Sequence, residues 1–230
     1  MAENYRHNIA EALTRYSSSK KDIPQPTQTR LLNEDTSFFS SLTPISQVKN
    51  TYILCTYDEG LILVDQHAAH ERVIFESLRE GYLSSRIASQ RLLVPQRIEL
   101  SYKEARFLEE YLNALLEVGL EIEPFGGNTI IIKSAPEMLI DSDYRQLMLD
   151  IIDELHSYGK SLQFEESIEN ILMLMACHAA IKANQHLSLK EIETLLQQLD
   201  RAGSPTNCPH GRPILRKIPY KEIDRMFKRG

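Results

Sequence analysis

The stretch "LILVDQHAAHERVIFE", Leu61–Glu76, decides how the rest of the chain is read. A run of four apolar residues ends in an acid, a glutamine and a histidine, and a polar, helix-prone segment follows at once. Leu61–Val64 reads as a buried strand, and the residues after Gln66 read as a helix. That helix has Val73, Phe75 and Leu78 for packing and Gly81 as its expected stop. The join between the two elements carries Asp65, His67, His70 and Glu71, an unusual density of ionisable groups beside a buried strand.

Upstream, "ISQVKNTYILCTYDEGLILVDQ" holds two strand-like runs around Asp58-Glu59-Gly60, a hairpin signature. Residues 17–43 are rich in Ser, Thr, Pro and Gln and read as a linker, with order expected from about Pro44. Residues 4–16 before it have a short-helix pattern. Downstream, "RLLVPQRIEL" is extended, because Pro95 disfavours helix in the residue before it. "SYKEARFLEEYLNALLEVG" opens on the capping box Ser101-x-x-Glu104 and closes at Gly119. Two strands follow, joined through Gly126-Gly127-Asn128. An amphipathic helix near 141–160 comes next, then a more apolar one through "SIENILMLMACHAAIKA". The capping box Ser188-x-x-Glu191 opens another helix. The Pro/Gly-bounded loop "SPTNCPHGRP", a short strand around Ile214 and a helix "YKEIDRMFKR" close the chain. The order predicts a mixed α/β (α+β) fold. The block from about 95 to 160 reads as an inserted lobe, with 44–94 and 161–230 meeting to form the other lobe and 1–43 as a flexible arm.

The chain has 230 residues, 42% of them apolar and 25% charged, ordinary values for a globular protein. It contains no apolar run near the ~18 residues that span a membrane, and its N-terminus lacks the apolar core of a secretion signal. Three cysteines, Cys55, Cys177 and Cys208, point away from a disulfide scaffold and towards a reducing, cytoplasmic setting. A net charge of −6 is awkward for unaided nucleic-acid binding. From Arg212 onward, however, seven Lys and Arg stand against Glu222 and Asp224. That tail is either a solvated helix face or a basic edge for phosphate.

If the helix begins just after Gln66, His67 and Glu71 are one turn apart on one face and can grip a divalent metal together. Asp65 then sits at the helix N-terminus, where a carboxylate is favoured whether or not it has further work. The same residues also fit an ordinary cap and ordinary surface positions. Cys208 and His210, two apart in an extended loop, point the same way and suit Zn²⁺. They fit an incidental turn as well. Cys177 lies on the apolar helix, where a cysteine usually acts as a small hydrophobe. His70, His178 and Cys55 read as packing residues.

Taken together, these stretches resemble the C-terminal domain of the MutL family of DNA mismatch-repair proteins. Asp65, Gln66, His67, Ala68, Glu71 and Glu76 match its DQHA-x2-E-x4-E signature. "ACHAAIKANQHLS", "CPHGRP" and "MFKR" resemble its further motifs, and the likeness runs from about Pro44 to Arg229. The resemblance implies a two-lobed fold, with a dimerisation lobe built from both chain ends and an inserted regulatory lobe. It implies a latent endonuclease that nicks duplex DNA. His67, Glu71, Cys177, Cys208 and His210 would be metal ligands, Asp65 and Glu71 catalytic, and Glu76 structural. Zn²⁺ would be structural or regulatory and Mn²⁺ or Mg²⁺ catalytic, with Arg212, Lys228 and Arg229 meeting the DNA backbone. "QRLLVP" resembles the peptide by which bacterial members dock on the polymerase sliding clamp, through Gln90, Leu92, Leu93 and Pro95. A homodimer, a MutS-type mismatch sensor and the family's ATPase half, absent from this chain, are the other partners implied. The alternatives are a catalytically silent dimerisation and clamp-docking module with structural zinc, and an unrelated zinc hydrolase with a deep pocket.

Overall fold

The computed structural model describes residues 37–158, 164–180, 185–203 and 205–229. The expected helix at 4–16 and the linker to 36 lie outside the described residues, as do 181–184 of the "ACHAAIKANQHLS" motif. The fold is mixed α/β, and its contacts divide it into two units. One is Ser77–Ala179. The other combines the described residues before 77 with those after 179. The middle unit is wider than 95–160, because its first strand pairs along much of its length with a later one and its last helix packs on the helix before it. No helix of the described residues is long and apolar enough to cross a membrane.

The two-ended unit is built on an antiparallel sheet in the order β1-β2-β3-β7: β1 Thr43–Val48, β2 Tyr52–Tyr57, β3 Gly60–Asp65 and β7 Leu215–Pro219. The Asp58-Glu59 hairpin is as expected, but β1 is a third strand that the sequence reading did not separate. Its turn to β2 runs through Lys49 and Asn50, both at positive φ. Asparagine tolerates that conformation, but lysine gives little warning of it, so only half of the turn carries a sequence signal. Alternation decides which face is buried. Ile53, Cys55, Ile62 and Val64 are fully covered by α1 (Gln66–Leu83) and α6 (Leu189–Arg201), whose Ala68, Ala69, Leu195 and Leu199 belong to the same core. The opposite face presents Val48 and Tyr52, both more than 40% exposed, with Leu54, Leu61, Leu63 and Ile218 half-buried beside them.

The flexible-arm expectation fails at residues 37–43. Phe39 and Leu42 are buried in this core, and Asp200 at the end of α6 accepts hydrogen bonds from Phe39 N (2.8 Å) and Ser40 N (2.7 Å). The Lys217 ammonium lies 4.7 Å from the Phe38 ring centroid, within cation–π range. Gly81 does not stop α1, which continues to Leu83. A Cβ at that glycine would sit 3.1 Å from Ile87 Cγ1, so the residue serves a close chain approach instead.

The middle unit has a three-stranded sheet in the order β4-β6-β5, formed by Ser89–Glu99, Thr129–Pro136 and Glu121–Pro124. The expected single helix after Ser101 is α2 (Tyr102–Leu108) and α3 (Leu112–Glu117), separated by a 3-10 turn at Glu109–Tyr111. α4 (Tyr144–Tyr158) packs on α5 (Phe164–Ala179), burying Leu147, Ile151, Ile171 and Met175. Both capping boxes form, at Ser101 and at Ser188. Each satisfies two backbone donors of its helix and contributes about 1 kcal/mol. The chain ends on α7, Tyr220–Met226.

Candidate metal centre

Asp65 is the last residue of β3, and α1 starts beside it. Its backbone N donates to Ile214 O (2.8 Å), tying the strand end to the residue just ahead of β7. Its carboxylate Oδ1 accepts from His67 N and Ala68 N, both 3.0 Å, so the expected N-cap is present. The cap fixes the phase of α1. Glu71, one turn beyond His67, therefore lies inward and is 1% exposed.

A second segment comes to meet Glu71. Residues 206–214 form a tight loop: Cys208 N donates to Arg212 O (2.8 Å), Ile214 N to Thr206 O (2.9 Å) and Asn207 Nδ2 to Gly211 O (2.9 Å). Gly211 closes it at φ +84°, which a residue with a Cβ rarely adopts. His210 Nδ1 then stands 2.7 Å from Glu71 Oε1. One ligand atom each from Glu71, Cys208 and His210 lies within 4.8 Å of the others.

Burial raises the Cys208 thiol pKa. The backbone N–H groups of Arg212 and His210 pull it down, and the adjacent Glu71 carboxylate raises it again. Glu71 Oε2 is buried and makes no hydrogen bond. A buried carboxylate with an orphaned oxygen, a thiol whose sulfur receives amide hydrogen bonds, and an imidazole reaching solvent form a donor set that fits Zn²⁺ or a similar transition metal.

The other candidates divide. His67 is half-buried on α1 but outside the three-residue group. Burial pushes its neighbour His70 down to about 4, with His67 adding to the effect, so His70 is a neutral packing residue. Cys177 belongs to the other unit and is exposed near the end of α5. Beside it, His178 Nε2 lies 2.8 Å from Asp150 Oδ2. Glu76 pairs with Arg72 at 2.6 Å. Arg212, Lys228 and Arg229 are exposed.

In β4 the pairing with β6 is interrupted between Arg91 and Gln96. There Leu93 is 99% and Val94 69% exposed, Gln90 and Pro95 are exposed, and Leu92 is half-buried. Gln47, which no sequence motif marks, reaches Gln66 beside the cap through its amide. A polar residue in a strand of no evident pattern gave no signal for it.

Comparison with known proteins follows the same stretches. The model of the MutL C-terminal dimerisation domain matches residues 45–187. The DNA mismatch repair protein MutL of Syntrophotalea carbinolica is 43% identical over 197 residues, which is 86% of this chain and 31% of that protein. The protein of the same name from Geobacter sulfurreducens is 37% identical over 240 aligned residues, which is 100% of this chain and 40% of that protein. The chain thus spans about a third of the length of the curated relatives it matches.

Proposed function

Because this chain belongs to the family of MutL C-terminal dimerisation domains, we propose that it is the metal-dependent endonuclease part of a bacterial, cytoplasmic mismatch-repair protein, nicking duplex DNA so that one strand can be excised. The observation that carries this reading is the meeting of Glu71 with Cys208 and His210 across more than 130 residues of chain. In this proposal Glu71, Cys208 and His210 hold Zn²⁺, with His67 and Cys177 as further ligands. Asp65 and Glu71 serve a catalytic Mn²⁺ or Mg²⁺. A divalent ion supplies a hydroxide near neutral pH and shields the charge of the phosphorane-like transition state. Asp65 Oδ1 is already engaged as a cap, so Oδ2 is the oxygen offered to a water or second ion.

Charge distribution supports contact with DNA despite the net −6. By sequence, 77–179 carries nine Lys and Arg against 17 Asp and Glu, a balance of −8. Residues 37–76 with 180–230 carry twelve against ten, a balance of +2, and Arg212, Lys228 and Arg229 lie in the basic tail. The apolar outer face of the β1-β2-β3-β7 sheet is the proposed seat of the homodimer, since its Val48, Tyr52, Leu61 and Leu63 are suited to a self-complementary interface. A MutS-type sensor and the ATPase half of the whole protein complete the proposed partners.

The test is nicking of supercoiled plasmid with Mn²⁺. The parent chain converts it to open circles, and Asp65→Asn, which preserves the cap's shape, lowers the rate by about 10²-fold or more. A parent that stays silent with the sliding clamp supplied would leave the second reading, a docking module with structural zinc. That reading draws on one observation: His67 stands outside the three-residue group.

Clamp docking through Gln90, Leu92, Leu93 and Pro95 is supported by the unpaired, exposed apolar tip of β4. Leu93 has almost no contacts of its own to lose. Leu93→Ala should therefore weaken clamp binding by about 1–2 kcal/mol while leaving the unfolding midpoint within experimental scatter. A matching fall in stability would mean that Leu93 is a fold residue instead.

A further inference from the structure

Four polar residues are buried among the described ones, and two of them, Gln66 and Glu71, lie on α1. Glu71 belongs to the metal cluster, whereas the hydrogen bonds of the Gln66 side chain go to Gln47, Asn50 and Gln185. It stands between Asp65 and His67 and is fully buried. Its Nε2 donates to Asn50 O (2.8 Å) and to Gln185 O (3.0 Å), and its backbone N donates to Thr51 O (3.1 Å). With both amide protons taken by carbonyls, Oε1 can only accept, and the donor is Gln47 Nε2. The second proton of that amide goes to Gln185 O (2.8 Å), and Gln47 Oε1 accepts from Leu187 N (3.0 Å). Backbone groups therefore fix the orientation of both amides without ambiguity.

A fully satisfied buried amide pair adds little net stability over an apolar pair of the same shape. What it does add is direction, because partners at set angles permit one arrangement. Here the two amides lock three segments together: the β1–β2 turn, the first turn of α1, and residues 185–187 ahead of α6. Asp65, pinned on its other side by Ile214 O, cannot rotate without breaking this set.

We infer that Gln47 and Gln66 are positioning residues, an amide clamp that fixes Asp65 and His67 relative to the Glu71–Cys208–His210 group. The inference deepens the proposed nicking reaction and rests on it for its kinetic consequence.

The experiment compares the parent chain with Gln47→Met, which keeps length without hydrogen bonds, and Gln47→Glu, which keeps the acceptor for Leu187 N but replaces both donors. Ser188→Ala is the control for ordinary loss of stability. Three quantities are read: zinc content, plasmid nicking with Mn²⁺ resolved into kcat and KM, and hydrogen exchange at the Ala68 amide in chelated protein. With both Gln47 variants kcat falls by about 10–100-fold, as for groups that orient ligands, with KM unchanged and, zinc being supplied in excess, the site still filled. Exchange at Ala68 rises at least tenfold. Ser188→Ala changes none of the three. Exchange at Ala68 equal to the parent's overturns the clamp, whether or not any chain nicks. A kcat within threefold of an active parent's, or an equal loss in Ser188→Ala, overturns it too. If the parent chain does not nick, the proposed reaction fails, and faster Ala68 exchange still upholds the clamp as the device that orients the Asp65 cap.

Discussion

With Glu71 replaced by glutamine, the chain will lose its affinity for zinc and yet, stripped of metal, will unfold at a higher temperature than the parent. Both effects follow from one observation: the carboxylate is 1% exposed and only one of its oxygens is partnered. A buried carboxylate with an orphaned oxygen costs roughly 1–3 kcal/mol. Its partner His210 reaches solvent and can lose the charge beside it at small cost. Glutamine preserves the volume, keeps an oxygen for the His210 contact and exchanges a buried charge for a neutral amide, which costs less to desolvate. Chelated Glu71→Gln should therefore be about 1–3 kcal/mol more stable, a rise of about 2–4 °C per kcal/mol for a chain of this size. Zinc affinity should fall on the order of 100-fold or more, since altering groups that merely orient ligands already costs 10–100-fold. Calorimetry of chelated protein and a zinc titration read the two effects separately. A chelated variant that melts below its parent would show that the carboxylate serves the fold; retained zinc would show that it does not serve the metal.

Gly60→Ala is expected to cost about 3 kcal/mol or more, and Gly60→Val to prevent folding. A Cβ on Gly60 would lie 2.3 Å from Ile218 O and 2.9 Å from Pro219 Cα. Both are backbone atoms of β7, so no side chain can swing aside. Relief requires β7 to leave β3 at the Gly60↔Pro219 pair. β7 follows directly from the Cys208 loop, and Asp65 N is bonded to Ile214 O just ahead of it. The damage should therefore reach the metal: zinc affinity drops along with stability in Gly60→Ala. Urea unfolding with a zinc titration tests both parts. Stability within 1 kcal/mol of the parent would refute the argument.

The elements of this chain were legible where local chemistry dictates them. The two capping boxes, the Asp58-Glu59 hairpin and the alternation of β3 set helix starts, a turn and a buried face by short-range rules. The strand-to-helix join at Asp65 was legible for the same reason. Three features were not. β1 turns through Lys49 at positive φ, a conformation imposed by pairing and by the Gln66 bond to Asn50 O rather than by the residue itself. Gly81 looked like a stop but marks the approach of Ile87. The 3-10 turn at Glu109–Tyr111 interrupts an otherwise helical pattern with no glycine or proline to announce it. In the candidate site, Glu71, Cys208 and His210 were named from residue type and resemblance. Their convergence depends on β7 pairing with β3, a contact more than 150 residues long that no local pattern encodes. Gln47 was missed because an amide's importance lies in its partners.

The Asp200 clasp on Phe39 and Ser40 fixes where the minimal folding piece begins. A version trimmed to start at Pro44, just past the Ser/Pro-rich stretch, would lack the Phe39 and Leu42 side chains. It would uncover the leucines of α6 and take the Phe39 and Ser40 donors away from Asp200 at that helix's end, where negative charge is unwelcome. Anyone shortening this polypeptide should cut ahead of Ser37.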